Sequence, residues 1–198
     1  MNFSLDVAER AAQIALTQPE DIMVASTLLH GVLAPNVDHA PTDYSMGLYA
    51  PDGSNRRTLM DPAERLPFYD QAAKLIQELA AHRQGGDDKQ FLERAANVLA
   101  MTLVLAHPFA DGNGRTARTL AHLVREGFDV DPTSHDDLVT LGTNRPSDGG
   151  IRSYLPHEEG NTLEPLALLE RAAALDIPLS DEAAYTYKRK SAFAIPYS

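Results

Sequence analysis

The sequence predicts a mainly α-helical single domain, and three observations lead there. Apolar residues recur at helical spacing over most of the stretch from Leu5 to Gly127. Helix-starting and helix-stopping residues punctuate that pattern, and only the stretch from Pro35 to Pro62 is dominated by turn formers. A chain of 198 residues can bury one sizeable core but not two separate ones, so residues 1–198 are read as one unit.

The elements follow in order. Leu5 to Thr17 carries Leu5, Ala8, Ala12, Ala15 and Leu16 at helical spacing, and Pro19 can open a second helix running to about Leu33. Inside the turn-rich stretch, Ser45–Ala50 and Arg56–Met60 flank Pro51-Asp52-Gly53-Ser54-Asn55 as two short strands flank a turn. Helical spacing returns from Ala63 to His82 through Leu66, Phe68, Ala72, Leu75, Ile76 and Leu79, and Gln84-Gly85-Gly86-Asp87 stops it. The helix expected from about Lys89 to Ala106 is apolar on more than one face, which marks the central helix of a bundle. Pro108 disfavours helical geometry at His107, so that helix should end there. Asn113-Gly114 can start another helix, with Ala117, Leu120, Ala121 and Val124 facing inward and Gly127 as its stop. Further starts are expected at Ser134, Thr162 and Ser180, with a loosely held tail from Ala194 to Ser198.

Composition narrows the function classes. Hydrophobic residues at 43% and charged residues at 23% lie near ordinary soluble usage, without the bias of fibres or disordered chains. Seventeen basic against 28 acidic residues give a net charge of -11, which repels a phosphate backbone. The compact basic cluster Lys188-Arg189-Lys190 reads as a solvated tail, and no nucleic-acid partner is expected. Without cysteine there is neither a disulfide nor a thiolate metal site, and no histidine pair has His-Glu-x-x-His spacing. The start, Met1 to Asp6, lacks signal-peptide character, and the run Ala95–Ala106 is too short to span a bilayer. The expectation is a protein made in the cytoplasm and not membrane-bound. It would act there or be secreted into a host or competitor cell.

The chemistry concentrates in His107-Pro108-Phe109-Ala110-Asp111-Gly112-Asn113-Gly114-Arg115-Thr116-Ala117-Arg118. Gly112-Asn113-Gly114 entering a helix offers converging backbone N–H groups and the positive end of a helix dipole, which together suit an anion. Such a tripeptide also occurs in ordinary turns. Arg115 and Arg118, three residues apart, share a helix face where two guanidinium groups can clamp phosphate oxygens; ion pairs with Asp111 or Glu126 are the plainer reading. Asp111 beside polyphosphate suits Mg²⁺, which takes one or two carboxylates with phosphate oxygens and water, although a helix cap would also account for it. His107 is placed to take a proton from an attacking hydroxyl, against the plainer view of a structural histidine at a helix end. Phe109 reads as a core anchor that fixes the loop.

The string resembles the signature of Fic domains, His-Pro-Phe-x-Asp-Gly-Asn-Gly-Arg-x-x-Arg, at every position from His107 to Arg118. The likeness extends over a core of about 44–127. It implies a compact helical bundle with a short β-hairpin flap, and transfer of AMP from ATP to a Ser, Thr or Tyr hydroxyl of a target protein. In that scheme His107 is the general base, Asp111 the Mg²⁺ ligand, and Gly112, Asn113 and Gly114 hold the α- and β-phosphates. Arg115 then contacts the outer phosphates and Arg118 the γ-phosphate. Gly47, Leu48 and Tyr49 of the flap would dock the target.

Transfer of UMP, phosphocholine or a phosphoryl group is the alternative on the same scaffold, and a non-catalytic nucleotide-binding module the alternative of another class. The phosphorylating branch has lysine near the second glycine, where this chain keeps Gly114-Arg115. Fic proteins are also commonly restrained by a helix with the pattern Ser/Thr-x-x-x-Glu-Gly/Asn. No Ser or Thr in this chain has Glu four positions later; Thr17 with Asp21 comes close. The resemblance therefore points to a brake on a separate antitoxin-like protein, or to none, with a degenerate helix using Glu9 or Asp21 as the alternative.

Overall fold

The computed structural model describes residues 3–43, 47–49, 55–58, 60–83, 88–125 and 165–174. The expected helix starts at Ser134, Thr162 and Ser180, the stops at Gln84-Gly85-Gly86-Asp87 and Gly127, the Lys188–Lys190 cluster and the C-terminal tail lie outside them. The described residues are mainly helical, as expected.

Helix α1 (Phe3–Thr17) buries Ala8, Ala11, Ala12 and Ala15 completely. A stripe of methyl groups lets a neighbouring backbone come close, and α1 lies against both α2 and α5. The second helix differs from the single element expected from Pro19. Pro19–Asp21 forms a 3-10 turn, and α2 proper runs Ile22–Leu33. The tightening is visible in the bond from Asp21 N–H to Gln18 O at 2.8 Å, and in that from Ile22 N–H to Pro19 O.

Strands β1 (Gly47–Tyr49) and β2 (Asn55–Thr58) pair antiparallel, Gly47 opposite Thr58 and Leu48 opposite Arg57. The register then shifts so that Tyr49 faces Asn55, which is how a bulge accommodates one extra residue. Ser45, Met46, Ala50 and Leu59 of the expected strands, and the turn between them, lie outside the described residues.

Helix α3 (Pro62–Ala81) starts on a capping box between Asp61 and Glu64 with Pro62 in the first turn, where a missing N–H costs nothing. Helix α4 (Asp88–Ala106) is the centre of the molecule: from Ala95 to Ala106 every residue is buried, including Asn97 and Thr102. Thr102 satisfies its hydroxyl on Val98 O at 2.6 Å. Helices α3, α5 (Asn113–Arg125) and α6 (Pro165–Ala173) pack around α4. The inward face predicted for α5 is the buried one, with Leu120 and Val124 fully enclosed. Among the described residues no helix is long and apolar enough to cross a membrane.

Candidate functional site

The loop between α4 and α5 is set by its own sequence first. Pro108 forbids a further helical residue before it, so α4 stops at Ala106 and His107 turns to φ +44°, a left-handed conformation that only a few per cent of non-glycine residues adopt. His107 N–H still bonds Leu103 O at 3.0 Å, so the imidazole leaves the helix from its last hydrogen-bonded position. Phe109 is fully buried, as an anchor must be. Gly112, at φ +82°, turns the chain into α5, and its carbonyl accepts Thr116 N–H at 2.9 Å and Thr116 Oγ1 at 3.1 Å. Gly112 thus occupies the cap position of α5.

That settles the plainer view of Asp111. Its Oδ1 accepts the N–H of Gly112, one residue on, at 2.6 Å, rather than an amide inside the helix. The side chain is 76% exposed and lies 3.7 Å from Arg115, which is 30% exposed. An ion pair that open and that long is worth about 0–1 kcal/mol, too little to explain the placement of both charges.

Two expected phosphate contacts change character. Asn113 is buried, its Oδ1 accepting Phe109 N–H at 2.9 Å and its Nδ2 donating to Phe109 O at 2.6 Å. Both ends of that amide are committed to clamping the loop, which leaves only the Asn113 backbone for an anion. The Gly112 N–H already holds a carboxylate oxygen. The first-turn amides of Asn113, Gly114 and Arg115 have no acceptor one turn back in the helix, and they form the anion-facing end of α5. A Cβ added at Gly114 would stand 3.1 Å from Arg118 Nη1 and 3.6 Å from Nη2, so the Arg118 guanidinium lies folded over this same turn.

The site also has supports that sequence reasoning missed. His30 on α2 is fully buried, stacks on Phe109 with centroids 4.0 Å apart and planes 15° apart, and contacts Asp111 O through Nε2 at 2.9 Å. Its Nδ1 lies 3.2 Å from Nδ1 of His39. Burial is the largest influence on this imidazole and lowers its pKa from 6.5, the bond to Asp111 O opposing it. On the far side, Thr42 N–H bonds Pro108 O at 2.7 Å, and the buried Arg65 of α3 donates from Nη1 to Thr42 O at 2.6 Å. A histidine among Leu28, Leu29, Val32 and Leu33 is a weak signal in a sequence. Nothing local to His30, Thr42 or Arg65 announces a partner on the loop.

The positions Gly47, Leu48 and Tyr49 fall on β1, paired with β2. Among the described residues no group of three or more His, Asp or Glu side chains could hold a metal ion by themselves. Asp111 would be a single, open carboxylate ligand, which fits an ion that draws its other oxygens from a polyphosphate and water.

A helical domain that carries an amide-lined turn, a carboxylate, two guanidinium groups and an imidazole within one short segment is suited to handling a phosphate-bearing molecule. The family model of the Fic/DOC family matches residues 28–124, and the chain is a Fic domain protein. The match begins inside α2, earlier than the core expected from about Tyr44, and so takes in His30 and His39. No curated protein and no solved structure matches the chain.

Proposed function

We propose that this protein transfers AMP from ATP to a Ser, Thr or Tyr hydroxyl of a target protein. The observation that carries the reading is the gathering of His107, Asp111, Arg115 and Arg118 at one loop and helix start, with the Arg118 guanidinium folded over Gly114. Membership of the Fic/DOC family supports AMPylation-type transfer in general.

In this scheme His107 accepts the proton of the target hydroxyl as its oxygen attacks the α-phosphorus. The bond to the β-phosphate oxygen breaks and pyrophosphate leaves. Arg115 and Arg118 hold the outer phosphates, where negative charge accumulates, together with the first-turn amides of α5. Asp111 would hold Mg²⁺, whose contribution is to neutralise charge on the phosphate oxygens. Strand β1, through Gly47, Leu48 and Tyr49, would dock the target segment by strand pairing. A separate antitoxin-like inhibitor is the expected partner in control.

The test is incubation with lysate, Mg²⁺ and ATP labelled either on the α- or on the γ-phosphate, with UTP in parallel, followed by mass spectrometry of modified hydroxyls. AMP transfer moves the α label and leaves the γ label in pyrophosphate. Retention of the γ label on protein would assign phosphorylation instead, and no label on any protein would leave a binding module.

A further inference from the structure

Resting on that reading of the site, we propose that His30, pinned by His39, is a positioning residue that holds the Asp111-Gly112 corner in the conformation from which metal and triphosphate are bound. Two contacts of one side chain, and its closeness to Gly112, converge on the corner. The ring face stacks on Phe109 at 4.0 Å, Nε2 reaches Asp111 O at 2.9 Å, and Nε2 and Cδ2 lie 3.0 Å and 3.1 Å from where a Cβ on Gly112 would stand. The residue comes from α2, 81 positions away in the chain, so the corner is fixed from outside the α4–α5 unit that carries it.

The proton positions follow from chemistry. A carbonyl oxygen only accepts, so His30 Nε2 carries the hydrogen and donates it to Asp111 O. A neutral ring then has a bare Nδ1, and the short contact to His39 Nδ1 at 3.2 Å requires His39 to donate there. His39 therefore fixes the tautomer that the loop needs, much as an outer partner orients a metal-ligating histidine. A merely space-filling aromatic would stack on Phe109 equally well. It would not donate to the one carbonyl that lies between the candidate metal ligand and the turn opening the anion-facing helix. The same ring explains why position 112 is glycine beyond its positive φ: the space for a side chain is already taken by His30.

The experiment compares His30→Phe, which keeps the stack and the approximate volume but loses the donor, with His30→Gln, whose amide can place an N–H near the lost Nε2. Each full-length variant is first melted to establish folding. The Gly112, Asn113 and Gly114 amide resonances are then followed without nucleotide, and ATP binding is titrated over a range of Mg²⁺. His30→Phe should shift or broaden the three amides and weaken ATP binding about tenfold, the effect of one lost hydrogen bond to a buried carbonyl, with the half-saturating Mg²⁺ rising in step. His30→Gln should recover most of it. In turnover the loss should fall on the KM for ATP and leave kcat nearly unchanged. A folded His30→Phe protein whose loop amides and ATP affinity stay within about twofold of wild type would overturn the proposal. If His30→Phe does not fold, the half-buried His39→Phe carries the same readouts, with a smaller change expected in the same direction and no change overturning the proposal. Should wild type bind no ATP, the transferase reading fails, while the loop amides still decide the role of His30.

Discussion

His107 sits in a backbone conformation that its side chain does not favour, at φ +44°, immediately after the last turn of a buried helix. A non-glycine residue held there costs on the order of 1 kcal/mol, and such strain persists where the surroundings over-determine it. His107→Ala should therefore cut transfer by roughly 10²–10⁴, the usual contribution of a general base, while ATP affinity measured by titration stays nearly unchanged. A parallel loss of affinity would make His107 a binding residue. His107→Gly should be equally inactive yet about 1 kcal/mol more stable to urea than His107→Ala, because glycine accepts the positive φ. Asp111→Ala is expected to remove most of the Mg²⁺ dependence of transfer, and unchanged dependence would take the metal away from it. His30 supplies a pH signature of the fold. Its folded pKa lies below the ordinary 6.5 because it is buried. Between those two values the unfolded chain binds a proton that the folded chain refuses, so stability falls as pH drops below about 6.5 and stops falling once the folded ring is protonated too. Above that window the ring is neutral in both states and contributes no slope. His30→Gln should flatten this part of the profile in urea unfolding, and an unaltered slope would assign it to other groups.

The elements differ in how openly the sequence declares them, and the difference is physical. Helices α4 and α5 were legible because an all-round apolar helix and an amphipathic one have distinct periodicities, and because Pro108 and the glycine turn mark the boundary between them. The 3-10 turn at Pro19–Asp21 was not, since a proline at a helix start reads the same whether the first turn closes on i+3 or i+4. Anchoring by Phe109 was legible from its apolar character among polar neighbours. The Asn113 amide turns back on Phe109, four residues earlier, a local bond that a Gly-Asn-Gly turn does not by itself announce, while the clasp from Arg65 through Thr42 to Pro108 depends on tertiary contacts that no spacing encodes. The strand pair stands between these cases: turn formers led to the expectation of two strands beside them, and the register shift after Leu48 did not follow from them. If β1 docks the target by strand pairing, Leu48→Pro, which deletes a backbone donor, should depress modification of a protein substrate at least tenfold, roughly the loss of one to two hydrogen bonds, with ATP affinity preserved. Equal modification by the variant would remove the hairpin from target binding.

At the scale of the whole molecule the open matter is restraint, and the packing bears on it. Helix α1 lies against α5, the helix that carries Arg115 and Arg118, and it holds Glu9, one of the two carboxylates that an internal brake could use. Its buried face is a stripe of alanines, however, and Glu9 is exposed, as is Asp21 in the turn that follows. A carboxylate that displaces the γ-phosphate from a guanidinium must be held against it, because an exposed pair gains only about 0–1 kcal/mol and cannot compete with a triphosphate bearing several charges. The sequence agrees, since no Ser or Thr in this chain has Glu four positions later. This chain on its own, purified and given Mg²⁺ and ATP, should therefore modify itself or an added target without any activating substitution, as read by transfer of an α-phosphate label. Glu9→Ala and Asp21→Ala should leave that rate within about twofold, the scatter expected of exposed surface substitutions. A chain that stays silent until Glu9 or Asp21 is replaced would place the brake inside α1 or the turn after it. Its restraint would then come from within the same bundle that builds the site.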